Sequence, residues 1–197
     1  MKNLESIETM LKMNNGIITS SQITQASIPR RCLSEMVSEH SLYKIERGVY
    51  ALPEAWEDEM YILQYRYRKG VFSHDTALFL HGMSDRTPLK FTMTFPHGYH
   101  TASIKNENVK VKIVVADIYE LGIIEKASTH GNLLRVYDIE RTLCDIVKGH
   151  NTSDVQIVNQ AMKTYAISKT KNINKLLGYA EKLRVKNKVL AYMEVLL

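Results

Sequence analysis

The chain has no long apolar run. Its longest are a few residues, such as Ile113-Val114-Val115-Ala116, and a membrane-spanning helix needs about 20. The opening Met1-Lys2-Asn3-Leu4-Glu5 lacks the apolar stretch of a secretory signal, so a cytoplasmic location is expected. Only two cysteines occur, Cys32 and Cys144, far apart and in apolar surroundings. That excludes a disulfide framework and leaves reduced thiols as the expectation. Internal repeats and low-complexity tracts are absent too.

Catalytic and metal signatures are equally scarce. The seven histidines and two cysteines show no zinc spacing, and His97-x-x-His100 stands alone. No Gly-rich loop precedes a lysine. None of the 21 acidic residues has a lysine two positions on, which removes a [D/E]-x-K nuclease pair. Neither a Gly-Ser dipeptide nor an Asp-x-Asp occurs, so a nucleotidyltransferase centre is missing. Ser73-His74-Asp75 are consecutive, whereas triad members meet in space. They read instead as a helix start, with Ser73 as cap. No enzyme, cofactor or metal is expected.

What remains is an ordinary globular composition. Of 197 residues, 45% are apolar and 24% charged, with a net charge of +5. That permits a nucleic-acid partner without demanding one. Residues 1–53 carry six basic and five acidic side chains. Residues 163–188 carry eight basic residues and only Glu181 as acid. This region (Lys163, Lys169, Lys171, Lys175, Lys182, Arg184, Lys186, Lys188) reads either as a solvated helical face or as a second nucleic-acid surface.

The first 53 residues follow a clear plan. Leu4, Ile7 and Leu11 form one helix face, and Asn14-Asn15-Gly16 ends it. Thr19 and Gln22 form a capping box, with Ile18 placed to staple onto Ile23, so a second helix runs from about Ser20 to Ala26. Ser27-Ile28-Pro29 predicts the start of a third helix, to about Glu39, with Ser27 as cap. Leu33, Met36 and Val37 mark its inner face. Arg30, Arg31, Ser34 and Ser38 lie away from it. Two strand-like runs, Leu42–Ile45 and Val49–Leu52, flank the turn Glu46-Arg47-Gly48.

Three short helices and a hairpin are the order of a winged helix-turn-helix. A recognition helix presents its N-terminal residues to base edges in the major groove. Arginine pairs with guanine through two hydrogen bonds or clamps a phosphate. Arg30, Arg31 and Ser34 on the helix, with Lys44 and Arg47 on the wing, are the candidate DNA-binding residues. Glu35 and Glu39 on the same helix oppose that reading and keep a protein-docking role open.

Beyond Pro53, a helix is expected over 54–69 with Trp56, Met60, Leu63 and Tyr67 as its buried stripe. A short strand at Val71-Phe72 and a helix from Ser73 to His81 follow. Strands are expected over 89–95, 109–113, 123–127 and 133–137, with a polar loop over 97–108. Asp138 caps a helix, and three more fall near 153–166, 172–183 and 185–196. The fold class is α+β: a winged helix-turn-helix over 1–53, then a mixed α/β domain over 54–197 ending in helices.

Three blocks carry a resemblance: Arg47-Gly48-Val49-Tyr50; Ser73-His74-Asp75-Thr76-Ala77-Leu78-Phe79-Leu80-His81-Gly82 with Pro88; and Glu140-Arg141-Thr142-Leu143-Cys144-Asp145. In this order they resemble the AbiEi family of antitoxins from bacterial abortive-infection operons, a form of phage defence. With the N-terminal plan the resemblance spans essentially the whole chain. It implies a winged helix joined to an antitoxin domain. It also implies autorepression through promoter repeats, and action against a co-encoded nucleotidyltransferase toxin without a required stable complex (type IV). The DNA-contacting role is carried over onto Arg30, Arg31, Lys44 and Arg47 only.

Overall fold

The structure is a computed structural model and describes residues 2–104, 107–149 and 153–196. The chain divides into two compact units. The first comprises 1–66 with 127–133, the second 67–126 with 134–197.

The first unit opens with α1 (Lys2–Met13), β1 (Ile17–Thr19), α2 (Ser20–Gln25), α3 (Arg31–Ser38), β2 (Tyr43–Glu46) and β3 (Val49–Ala51). Ile7, Leu11, Ile18, Ile23, Leu33, Met36 and Leu42 pack as one core under the three helices. The capping box forms as expected: the Thr19 amide donates to Gln22 Oε1 at 2.8 Å, and the Gln22 amide to Thr19 Oγ1 at 3.3 Å. Ser27 does not cap the third helix. It takes a left-handed φ of 57°, and the Ile28 amide reaches back to the Ile23 carbonyl at 3.0 Å. That is a Schellman closure of α2, so α3 starts only at Arg31 with Arg30 as its N-cap residue. Asn15 and His40 end α1 and α3 in the same left-handed way.

The strands form an antiparallel sheet of order β1-β3-β2, with β1 a strand that the sequence pattern did not reveal. Ile18 and Tyr50, cross-strand partners, face the three-helix core. Ile17, Val49 and Ala51 face the other way, onto Ile62 of α4 (Glu59–Arg66). This second apolar layer is why the compact unit runs past Pro53. The helix expected over 54–69 is shorter, and Trp56 is 80% exposed rather than buried because it precedes the helix. Asp58 starts α4. Its carboxylate is buried and accepts from the Tyr61 amide at 3.1 Å, from Asn132 Nδ2 at 2.9 Å and from the Ser128 hydroxyl. Those bonds explain why 127–133 belongs with this unit.

The second unit holds β4 (Val71–Phe72), α5 (His74–Leu80), β5 (Phe91–Pro96), β6 (Val109–Val114), α6 (Ala116–Tyr119), β7 (Ile123–Ala127), β8 (Leu133–Tyr137), α7 (Ile139–Ile146), α8 (Val155–Ile167), α9 (Ile173–Lys182) and α10 (Lys186–Leu196). A 3₁₀ turn at Ala102–Ile104 interrupts the expected polar loop; Lys105 and Asn106 of that loop lie outside the described residues. The sheet is mixed, in the order β6-β5-β4-β8-β7, with β4 antiparallel to β5 and parallel to β8, and β5 parallel to β6. Leu78, Leu143, Ile146, Met162, Leu176, Val189 and Met193 form the core that joins α5 to the C-terminal helices. Cys144 sits there, fully buried, and desolvation pushes its thiol up to about 12.

The head of α7 is polar and buried. Asp138 caps it through the Arg141 amide at 2.8 Å. Arg141 is wholly buried and pairs with Asp145 at 3.0 Å, the expected i, i+4 contact. Its Nη1 donates to the Leu121 and Ile118 carbonyls, and its guanidinium lies 4.3 Å from the Tyr137 ring centroid. Burial pushes the Asp145 carboxyl up, and Arg141 draws it back.

Candidate nucleic-acid interface

The α2–turn–α3 segment sets the geometry. Cys32, Leu33 and Met36 turn inward, while Arg31, Ser34, Glu35 and Ser38 are exposed. Arg31, Ser34 and Ser38 are spaced by three and four residues and share one helix face. Arg30, one position earlier, folds back so that its Nε donates to Thr24 Oγ1 of α2 at 3.0 Å. That bond fixes the guanidinium in the turn between the two helices. Neither arginine forms an ion pair among the described residues, so both charges remain available to an anionic partner. Glu35 lies on the presenting face one turn after Arg31; a carboxylate there can accept from cytosine N4 and repels phosphate.

The wing is short and held from two sides. Gly48 takes φ +83°, and a Cβ there would sit 3.0 Å from the Tyr65 hydroxyl. The Ser20 amide, at the head of α2, donates to the Gly48 carbonyl at 2.9 Å. Glu46 is gripped by Arg66 of α4 through two contacts of 2.5 Å. A carboxylate beside the wing tip is thereby neutralised, and the exposed wing cations are Lys44 and Arg47. Ile45 bulges between Lys44 and Glu46, which places those two on opposite faces of the sheet. The α3 and wing residues expected from the sequence therefore all lie exposed on the first unit. The Arg66–Glu46 clamp was missed, since its partners stand twenty positions apart with no local pattern linking them.

The C-terminal cations are less uniform than their sequence density implied. Lys163, Lys169, Lys171, Lys182 and Arg184 are exposed. Lys175 is engaged with Asp138 at 3.0 Å and Glu140 at 3.2 Å. Lys188 donates to the Val147 carbonyl at 3.0 Å, and Lys186 approaches Glu181 at 3.6 Å. Three of the eight thus hold internal partners.

Among the described residues no group of three or more His, Cys, Asp and Glu side chains is arranged to hold a metal. No helix among them is long and apolar enough to cross a membrane.

Three helices, a helix-turn-helix with an outward α3 and a three-stranded winged sheet define a winged helix-turn-helix domain. Residues 5–53, nearly all of it, match the family described as transcriptional regulator, AbiEi antitoxin. The resemblance to AbiEi antitoxins holds over these residues. No curated protein matches the chain. Among solved structures, the RV2827C protein from Mycobacterium tuberculosis is similar over 98% of this chain and 81% of its own, with 12% identity and a TM-score of 0.51. That likeness is one of fold, and it extends the α+β architecture across both units.

Proposed function

We propose that the chain is a bacterial antitoxin that represses its own operon by seating α3 in the major groove of promoter repeats. In this reading Arg30, Arg31 and Ser34 meet bases and phosphates, and Lys44 and Arg47 follow the adjacent backbone. The chain also counters a co-encoded nucleotidyltransferase toxin, without requiring a stable complex, and acts in the cytoplasm. One observation carries this: an exposed α3 face whose leading arginines form no ion pair among the described residues, inside the segment that matches the regulator family. The functional division assigns DNA binding to 1–53 and antitoxin activity to 54–197. The exposed C-terminal cations supply further phosphate contacts.

The test is fluorescence anisotropy with the promoter duplex upstream of the gene. A bidentate arginine contributes about 1–3 kcal/mol, so the R30A/R31A variant should bind at least tenfold more weakly. Affinity should fall with salt at about −0.9 in log–log slope per phosphate contacted. Unchanged binding by the double variant overturns the assignment. Glu35 on the presenting face favours a second reading, in which the winged helix docks on the toxin itself. Stable co-purification with the toxin and no promoter binding would select it.

A further inference from the structure

Away from the winged helix, the second unit gathers cations around a neutral histidine. Lys110 and Lys112 on β6 are the cross-strand partners of Thr92 and Thr94 on β5. The four side chains therefore share one face of the sheet. Thr94 Oγ1 donates to Ser73 Oγ at 2.8 Å, and Ser73 Oγ lies 3.1 Å from His74 Nδ1. In one tautomer of His74 the Ser73 hydroxyl, which accepts from Thr94, gives its own proton to Nδ1. The histidine proton then stands on Nε2, a donor with no partner among the described residues. His74 itself is held in a left-handed conformation, φ 52°, at the first residue of α5.

The charges that reach this imidazole are all positive: Lys112, Lys110, Arg141 and Lys148. Together with burial they push His74 down to about 3, so it is neutral near pH 7. Lys112 is half-buried and is lowered by desolvation and by Lys110, against the opposing pull of Asp145 and Asp75. Lys110, Lys112 and Lys148 form no ion pair among the described residues. The acids nearby are already engaged, Asp145 by Arg141 and Asp75 by the Ser153 hydroxyl. Arg141 Nη2 is buried without a hydrogen-bond partner among the described residues. Half-burying an unpaired lysine among other cations is unfavourable unless an anion completes the site.

We propose that this face of the second unit binds a phosphate group, held by Lys110, Lys112 and Lys148 and by the Nε2–H of His74. The fit is chemical. A phosphate offers several acceptor oxygens and negative charge, which match the three lysines and an Nε2–H donor. The site is independent of the operator contacts of α3, and either can fail alone.

The experiment uses the full chain carrying R30A/R31A, so that the α3 arginines do not contribute and the remaining wing contacts are common to every variant compared. Isothermal titration calorimetry at low salt is run with two probes, inorganic phosphate and a short duplex of unrelated sequence. Phosphate binding that weakens about tenfold in K112Q, as loss of one charge-assisted contact implies, supports a free phosphate as the ligand. Duplex binding that weakens likewise, with no response to inorganic phosphate, supports the same chemistry supplied by a nucleic-acid backbone. K112Q relieves like-charge repulsion, so its urea midpoint should match or exceed that of its parent, which keeps the comparison between folded proteins. If neither probe binds, or K112Q and K110Q bind both as their parent does, the site is refuted.

Discussion

Asp58→Ala is the sharpest test of how the winged helix is held. The carboxylate is only 1% exposed and serves three donors: the Tyr61 amide in the first turn of α4, the Ser128 hydroxyl and the Asn132 amide. Losing an N-cap costs about 1 kcal/mol. Leaving each of two buried donors unmet costs about 1–3 kcal/mol more, with part recovered by water entering the space. The expected destabilisation is about 3 kcal/mol. Urea unfolding of the full chain, followed by far-ultraviolet circular dichroism, measures it. The midpoint should fall with the slope unchanged if the unfolded state is unaffected. Asp58→Asn, which keeps one acceptor oxygen, should lie between the two. A loss below about 0.5 kcal/mol, the usual range for an unremarkable surface change, would show that Asp58 does not bind α4 to the 127–133 turn.

Other outcomes follow from the second unit. Arg141→Ala strands the buried Asp145 carboxylate and should cost about 3–5 kcal/mol; R141M/D145L, which removes both charges, should lose less, as read by urea unfolding. His74 has a folded value near 3 against an unfolded 6.5, so its neutral form is favoured in the native state. Its contribution is complete above about pH 6.5. As pH falls below that, the unfolded chain takes the proton first and stability drops by up to about 1.4 kcal/mol per pH unit. His74→Asn, which tolerates the left-handed backbone, should therefore flatten the acid limb of the stability–pH curve between about pH 6 and 4. Arg184 closes α9 with φ 58° and is exposed; Arg184→Gly should hold or raise stability, by about 0.5 kcal/mol, in thermal melts.

Local chemistry was legible in the sequence wherever partners were near neighbours. The Thr19–Gln22 capping box, the Asn15-Gly16 stop, the Asp138 cap and the Arg141–Asp145 pair each join residues no more than four positions apart, and each forms. Ser27 shows the limit of such signals. A serine before Ile-Pro is a good helix cap, but Ile23 and Ile28 both belong in the core, and joining them requires the left-handed turn that ends α2. Strand β1 stayed hidden because Ile17-Ile18-Thr19 is buried on both faces and therefore lacks alternation. β5, buried from Phe91 to Phe95, likewise lacks a wet face, yet it falls within the strand expected over 89–95. On β6 the alternating pattern promised a cleanly buried face, yet Ile113 is 45% exposed, because the strand lies at the sheet edge. The candidate DNA residues could be read from local patterns because a helix face and a hairpin turn are local objects. The cations around His74 come from three elements, so only the fold assembles them.

The same distinction governs how the two proposed activities should be separated. Composition changes near Pro53, and the family match ends there, so a cut at that point is the natural choice. The packing argues against it. Ile17 and Val49 are fully buried and Ala51 nearly so, and the layer that covers them includes Ile62 of α4. Residues 1–53 alone would bare that face at a cost of several kcal/mol, using about 1.5–3 kcal/mol for each large aliphatic side chain uncovered. They would also free Glu46 from Arg66 and place an unpaired carboxylate beside the wing. A fragment ending at Pro53 that failed to bind DNA would therefore report a damaged sheet as readily as a missing contact. Point variants at Arg30 and Arg31, whose guanidinium groups support no core, remove the contact while leaving both layers of the sheet in place.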